Sequence, residues 1–161
     1  MAAQTGRTVS KWVNFQCDDS AGTLRTIPIN SISVVGLVYE EQDVTAFQDA
    51  VKGMLPNMPD APIEISGPFD NAAAAAAGTL SGSHTVLSAL NGLQTPLTLD
   101  VQFGIRHAWE SGEPQFGITG TAANGYIMTS YTVDPGAMTY SAKFVLYPGS
   151  AAPAWGTAAE T

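Results

Sequence analysis

Two histidines, His84 and His107, lie close to carboxylates and a serine in patterns that invite a chemical reading. In "HAWESGE", His107, Glu110 and Glu113 recur at intervals of three, which on a helix would gather an imidazole and two carboxylates as a weak metal site. The segment follows a strongly alternating run and contains Ser111-Gly112, so a turn is the better reading, and the interval then loses its geometric meaning. Ser83 beside His84, with Asp100 downstream, supplies the residue types of nucleophilic catalysis. No Gly-x-Ser-x-Gly elbow surrounds the serine, and Ser83 reads instead as a helix cap. Asp100 and Glu64 fall on predicted strands and would suit a glycosidase pair only if they faced each other across a cleft; solvent-facing acids on a half-buried sheet are the plainer reading. Trp109 and Trp155 have the size of sugar-stacking platforms, yet large aromatics near loops and chain ends more often anchor interfaces or plug cores. Gly117, Gly120 and Gly125 are spaced for strand ends and a hairpin, not for a phosphate loop. No catalytic, cofactor-binding or metal-binding residue is therefore assigned, no cofactor is expected, and the chain reads as non-enzymatic.

The elements that would position these residues are mostly strands. In "PLTLDVQFGIR", Leu97, Leu99, Val101, Phe103 and Ile105 alternate with polar residues, the period of a half-buried strand. "AMTYSAKFVLY" alternates in the same way, and "GYIMTSYTV" is rich in β-branched and aromatic residues between the turn signals Asn124-Gly125 and Asp134-Pro135-Gly136. Residues 115 to 148 thus read as a three-strand meander. "TVSKWVNFQC", "TLRTIPI" and "SISVVGLVYE" suggest three more strands, and "APIEISGPF" another that Pro62 would confine to an edge or to its first position. "EEQDVTAFQDAVKGML" reads as an amphipathic helix of about three turns laid on the sheet through Phe47 and Val51. Val44, Phe47, Ala50, Val51 and Met54 recur at helical spacing, with acids at the start and Lys52-Gly53 at the end. A second, short helix is predicted from Ser83, with Val86, Leu87 and Leu90 inward and Asn91-Gly92 as its stop. The fold class is mainly β: an antiparallel β-sandwich or barrel carrying one amphipathic helix and a second short one, formed as one domain over residues 1–161.

Composition narrows the function. Of 161 residues 45% are hydrophobic and only 12% charged, which favours a packed core over disorder. The formal net charge of −8 argues against tight nucleic-acid binding, which depends on Lys and Arg, and would keep DNA from adhering. Cys17, the single cysteine, sits in an apolar alternation as a small hydrophobe. The polar opening "MAAQTGRTVSKW" is unlike a secretory leader, no run approaches a membrane span, and the chain is expected to be soluble where it is made, in the host cytoplasm.

One stretch resists a core role. "GPFDNAAAAAAGTLSGSH", residues 67–84, has hardly a large side chain, and its alanine run is too short for a stable isolated helix. Small residues let backbones approach closely, so this arm is predicted to form an intersubunit contact. Pro68 and Phe69 would anchor its start, and Ala72, Ala73, Ala74, Ala75, Ala76 and Ala77 would form its contact surface; Trp109 and Trp155 are further candidate contacts. An exposed tip that merely tolerates small residues is the alternative.

The order of elements, with "IEISGPFDN" and the terminal "FVLYPGSAAPAWG", resembles the small β-sandwich tail tube proteins of long-tailed bacteriophages, and more loosely phage capsid decoration proteins. The resemblance implies a virion protein forming hexameric rings that stack into a tube. DNA would pass through without specific binding, other phage structural proteins would meet its ends, and no membrane would be involved. A carbohydrate-binding module or small hydrolase on the same sandwich is the alternative of another class.

Overall fold

The computed structural model describes residues 2–76 and 78–157. A short 3-10 turn, Ser10–Trp12, leads into β1 (Val13–Asp18) and then β2 (Leu24–Ile27). Asp19 makes the turn between them, its Oδ1 accepting the N–H groups of Ala21 at 2.9 Å and Thr23 at 3.0 Å. β3 (Ser31–Ile32), β4 (Val38–Asp43), β5 (Met54–Asp60) and β6 (Ile63–Pro68) follow. After α1 (Ser83–Leu87) come β7 (Leu99–Phe103), β8 (Gln115–Ile118), β9 (Tyr126–Asp134), β10 (Thr139–Leu146) and β11 (Ala154–Gly156).

The strands form antiparallel sheets in the orders β11-β8-β7-β1-β2 and β3-β6-β10-β9, with β4 and β5 apart as a two-stranded ribbon. The first two sheets enclose a common core. Phe15, Cys17, Ile27, Leu99, Val101 and Phe116 come from one, and Ile63, Ile65, Tyr126, Met128, Tyr140 and Phe144 from the other. Period-two alternation places these side chains on one face of each strand. The core tyrosines bring polar tips that must be satisfied. Tyr126 Oη donates to the carbonyl of Ala61 at 2.8 Å, and Tyr140 Oη to that of Pro28 at 2.7 Å. Gly67 lets the Pro28 crossover pass over β6, because a Cβ there would stand 2.6 Å from the Pro28 carbonyl.

Three expectations change. The helix expected over "EEQDVTAFQDAVKGML" is absent: β4 and β5 pair across that region, with Val38 opposite Asp60 and Asp43 opposite Met54. Local side-chain bonds capture the intervening backbone, with Asp43 Oδ1 accepting Thr45 N–H at 2.9 Å, Asp49 Oδ2 accepting Ala46 N–H at 2.8 Å, and Thr45 Oγ1 accepting Gly53 N–H at 2.8 Å. Pro56 and Pro59 follow in β5, where a helix could not continue. The expected meander also splits, since β8 pairs with β7 and β11 while β9 and β10 belong to the other sheet. Finally, Ser83 is the first residue of α1, not its cap: Gly82 holds the cap position without a side-chain bond. The helix ends at Leu87, ahead of the expected stop at Asn91-Gly92, and its Val86 and Leu87 are buried as expected, as is Leu90 in the turn that follows. Pro62 falls just before β6, which leaves that strand free to pair on both sides with β3 and β10.

Candidate functional site

The residues with chemical potential are not assembled into a reaction centre. His107 Nε2 lies 2.9 Å from Glu113 Oε1, and the backbone N–H of Glu110 donates to Glu113 Oε2 at 3.0 Å. Glu113 is fully buried and also accepts the N–H of Gln4 at 3.0 Å, fastening the N-terminal segment to the loop after β7. Burial pushes its carboxyl up, but backbone N–H donors and the His107 ring outweigh that and hold it below the usual glutamate range. No group of three or more metal-ligating side chains is found among the described residues.

Ser83, His84 and Asp100 have separate tasks. Ser83 Oγ donates to Pro68 O at 2.8 Å and accepts Asp70 N–H at 3.2 Å, closing the base of the arm. His84 Nδ1 lies 3.0 Å from Tyr131 Oη and its ring is 4.8 Å from that of Phe69. Asp100 lies on the face of β7 opposite Leu99 and Val101, but it is buried there beside Gly117, so it is not the solvent-facing acid the sequence suggested. Glu64 stands exposed on the other sheet, 4.0 Å from Lys143 Nζ, so the two carboxylates share no cleft. The Cys17 thiol is buried, and burial with the nearby charges of Asp18 and Asp19 pushes its pKa far up, leaving an inert core group.

The small-residue arm lies against its own molecule. Leu80 bridges Thr26 in parallel, Ser81 N–H donates to Thr26 O at 2.9 Å, and Arg25 Nη1 donates to Ala75 O at 2.7 Å, so the arm covers the free edge of β2. Small side chains are required because the two limbs touch: a Cβ on Gly82 would collide with the backbone of Ala72. Pro68 and Ala72, Ala73, Ala74 and Ala76 remain exposed, Phe69 and Ala75 are half-buried, and Ala77 lies outside the described residues. Trp109 is half-buried and its indole N–H is shared between the carbonyls of Glu113 at 3.3 Å and Pro114 at 3.2 Å. Trp155, 55% exposed, leans on Phe116 and Phe103 at ring distances of 5.0 and 5.6 Å. The two tryptophans belong to separate surface depressions.

What stands out instead is the β4–β5 ribbon. Every residue of β4 and all of β5 except Pro59 are exposed, and neither strand pairs with the two-sheet body. Val38, Phe47, Val51, Leu55 and Met58 are large apolar side chains in water, Val51 at 77% and Met58 at 81%. The ribbon also carries Glu40, Glu41, Asp43, Asp49 and Asp60 against the single cation Lys52. An isolated two-stranded hairpin is marginal in water, and contiguous exposed apolar surface marks an interaction site. Sequence periodicity missed this surface because it assigned Phe47 and Val51 to the inner face of a helix ending at Leu55, and Pro56 just beyond fits a helix stop as well as it fits a strand.

A second feature lies at the N-terminal corner. Arg106 Nη2 donates to Thr5 O at 3.2 Å, Thr8 Oγ1 donates to Gly104 O at 2.6 Å, and Lys11 Nζ sits 4.7 Å from the centre of the Trp12 ring. These contacts bring Arg7, Lys11 and Arg106 to one region, half of the chain's six Lys and Arg residues. No family model and no curated protein sequence matches the chain.

Proposed function

We propose that this protein is a non-enzymatic structural subunit that works by self-association, of the kind that forms the tail tube of long-tailed bacteriophages. The protruding ribbon carries the reading: a stable body with a projecting strand pair, apolar and unsupported, suits a chain completed by a neighbour. The two antiparallel sheets would serve as the β-sandwich of such a subunit, with α1 plugging one side of its core. Hexameric rings stacked into a tube would place the molecule in the virion, with other phage structural proteins at the tube ends. The acid excess would let DNA pass without being held. The exposed alanines of the arm, with Pro68, Phe69, Trp109 and Trp155, belong to the same proposal as further contact residues.

Electron microscopy and sedimentation velocity of the purified chain over a concentration series test the reading. Rings or tubes at high concentration are the expected result. A chain that stays monomeric throughout overturns it, and association only when capsids are added assigns the molecule to capsid decoration instead.

A further inference from the structure

The ribbon carries acids along its strands and Asp49 at its tip beside the exposed Phe47 and Val51, so a partner surface should combine apolar walls with basic groups. Two ribbons would not satisfy each other, since like charges would meet. One surface of the chain has the required character. Lys11, Trp12, Val13, Asn14, Ala108 and Trp109 line a groove beside the 3-10 turn. The Trp109 indole N–H is already satisfied by main-chain carbonyls, which leaves the ring as apolar wall. Trp12 and Val13 are half-buried, Lys11 is exposed, and Arg106, two residues before Ala108 in the chain, is exposed as well.

The ion-pair pattern sharpens the point. Acids outnumber bases 14 to 6 in this chain, yet only three of the six Lys and Arg residues pair with a carboxylate among the described residues. Arg25 pairs with Asp19 at 3.0 Å, Lys52 with Asp43 at 3.9 Å and Lys143 with Glu64 at 4.0 Å. Among the described residues, Arg7, Lys11 and Arg106 have no carboxylate within ion-pair distance; Lys11 lines the groove, Arg106 stands two residues before Ala108 of its lining, and Arg7 belongs to the segment that Thr5 and Thr8 tie to Arg106 and Gly104.

We infer that the β4–β5 ribbon of one copy seats its Phe47–Val51 tip in the Trp12–Trp109 groove of a second copy, with its acids against Arg7, Lys11 and Arg106. The inference rests on the self-association reading above and names the two surfaces that meet. Because the surfaces differ, the contact is head-to-tail: each copy offers both halves, and repetition closes a ring or extends a filament.

The test places the photo-crosslinking residue p-benzoylphenylalanine at position 47 and irradiates a mixture of unlabelled and 15N-labelled full-length chains. Mixed-label crosslinks from position 47 to residues 9–14 or 108–109 are the expected result. Crosslinks to another surface of the second copy overturn the docking while leaving self-association intact; absence of association at every concentration overturns both. Lys11→Glu provides the second arm, with unfolding midpoint as the check on the fold. It should weaken association on the order of tenfold, more at low salt than at high, and an unchanged association constant overturns the inference.

Discussion

Substituting Phe47 by Ser separates a free docking element from a packed one. Phe47 is fully exposed at the tip of the ribbon and contributes nothing to the core, so the isolated chain should lose no more than about 0.5 kcal/mol of stability. If the ring is buried against a second copy, removing it costs about 1.5–3 kcal/mol of association, roughly a 10- to 150-fold rise in Kd. Phe144→Ala is the matched control. That ring is fully buried with its centre 5.7 Å from Phe15, and its truncation should cost about 3–5 kcal/mol, lowering Tm on the order of 10 °C. Urea unfolding at low concentration and sedimentation velocity at high concentration read the two quantities separately. A loss of monomer stability in Phe47→Ser comparable with that of Phe144→Ala would refute a ribbon standing clear of the body. Unchanged association would refute its role as the contact.

Two further outcomes follow from the interior. Tyr126→Phe removes the hydroxyl that donates to Ala61 O at 2.8 Å, just where the chain returns from the ribbon; urea unfolding should show a loss of about 1–2 kcal/mol. Glu113 governs part of the acid limb. Because its folded pKa is depressed, the stability it contributes is fully present above the ordinary carboxylate pKa of about 4.3 and disappears as pH falls through the folded value. Glu113→Gln should therefore show a shallower loss of stability than the parent chain between about pH 5 and 3. Asp19, also depressed, persists in both proteins, and an identical acid slope would remove Glu113 from this role.

Strands whose inner faces are filled by this chain's own core are legible in the sequence. β7 and β10 follow directly from the alternations through Leu99, Val101, Tyr140, Ala142 and Phe144, because burial on one face imposes period two. Sheet membership was not legible. β8 and β9 are neighbours in sequence, yet the chain crosses between sheets at residues 119–125, and hydrophobic pattern records which face is buried without recording the partner strand. The ribbon failed for a related reason. Phe47 and Val51 have apolar spacing but no apolar surface of their own molecule to meet, so their pattern could not report a local fold. The groove residues were invisible in a different way: Lys11, Trp12, Ala108 and Trp109 are far apart in sequence and are joined by the antiparallel pairing of β1 with β7.

The distribution of sheet edges favours the ribbon over the arm as the main contact in the proposed association. A free strand edge invites pairing unless it is covered or very short. The arm covers β2 through Leu80 and Ser81, while β3 and β11 are edges of 2 and 3 residues. β9 is long, but the turn after α1 borders it, with Gly92 N–H donating to Met128 O at 3.4 Å and His84 meeting Tyr131. The body thus manages its own edges with its own chain. The ribbon does the opposite: it keeps both outer edges unpaired with other strands and its large side chains in water. Close approach within one molecule accounts for Gly82 against Ala72 in the arm, whereas Phe47, Val51 and Met58 have no such account. A surface left uncovered by a chain that covers its other edges is the surface at which a second molecule gains most by binding.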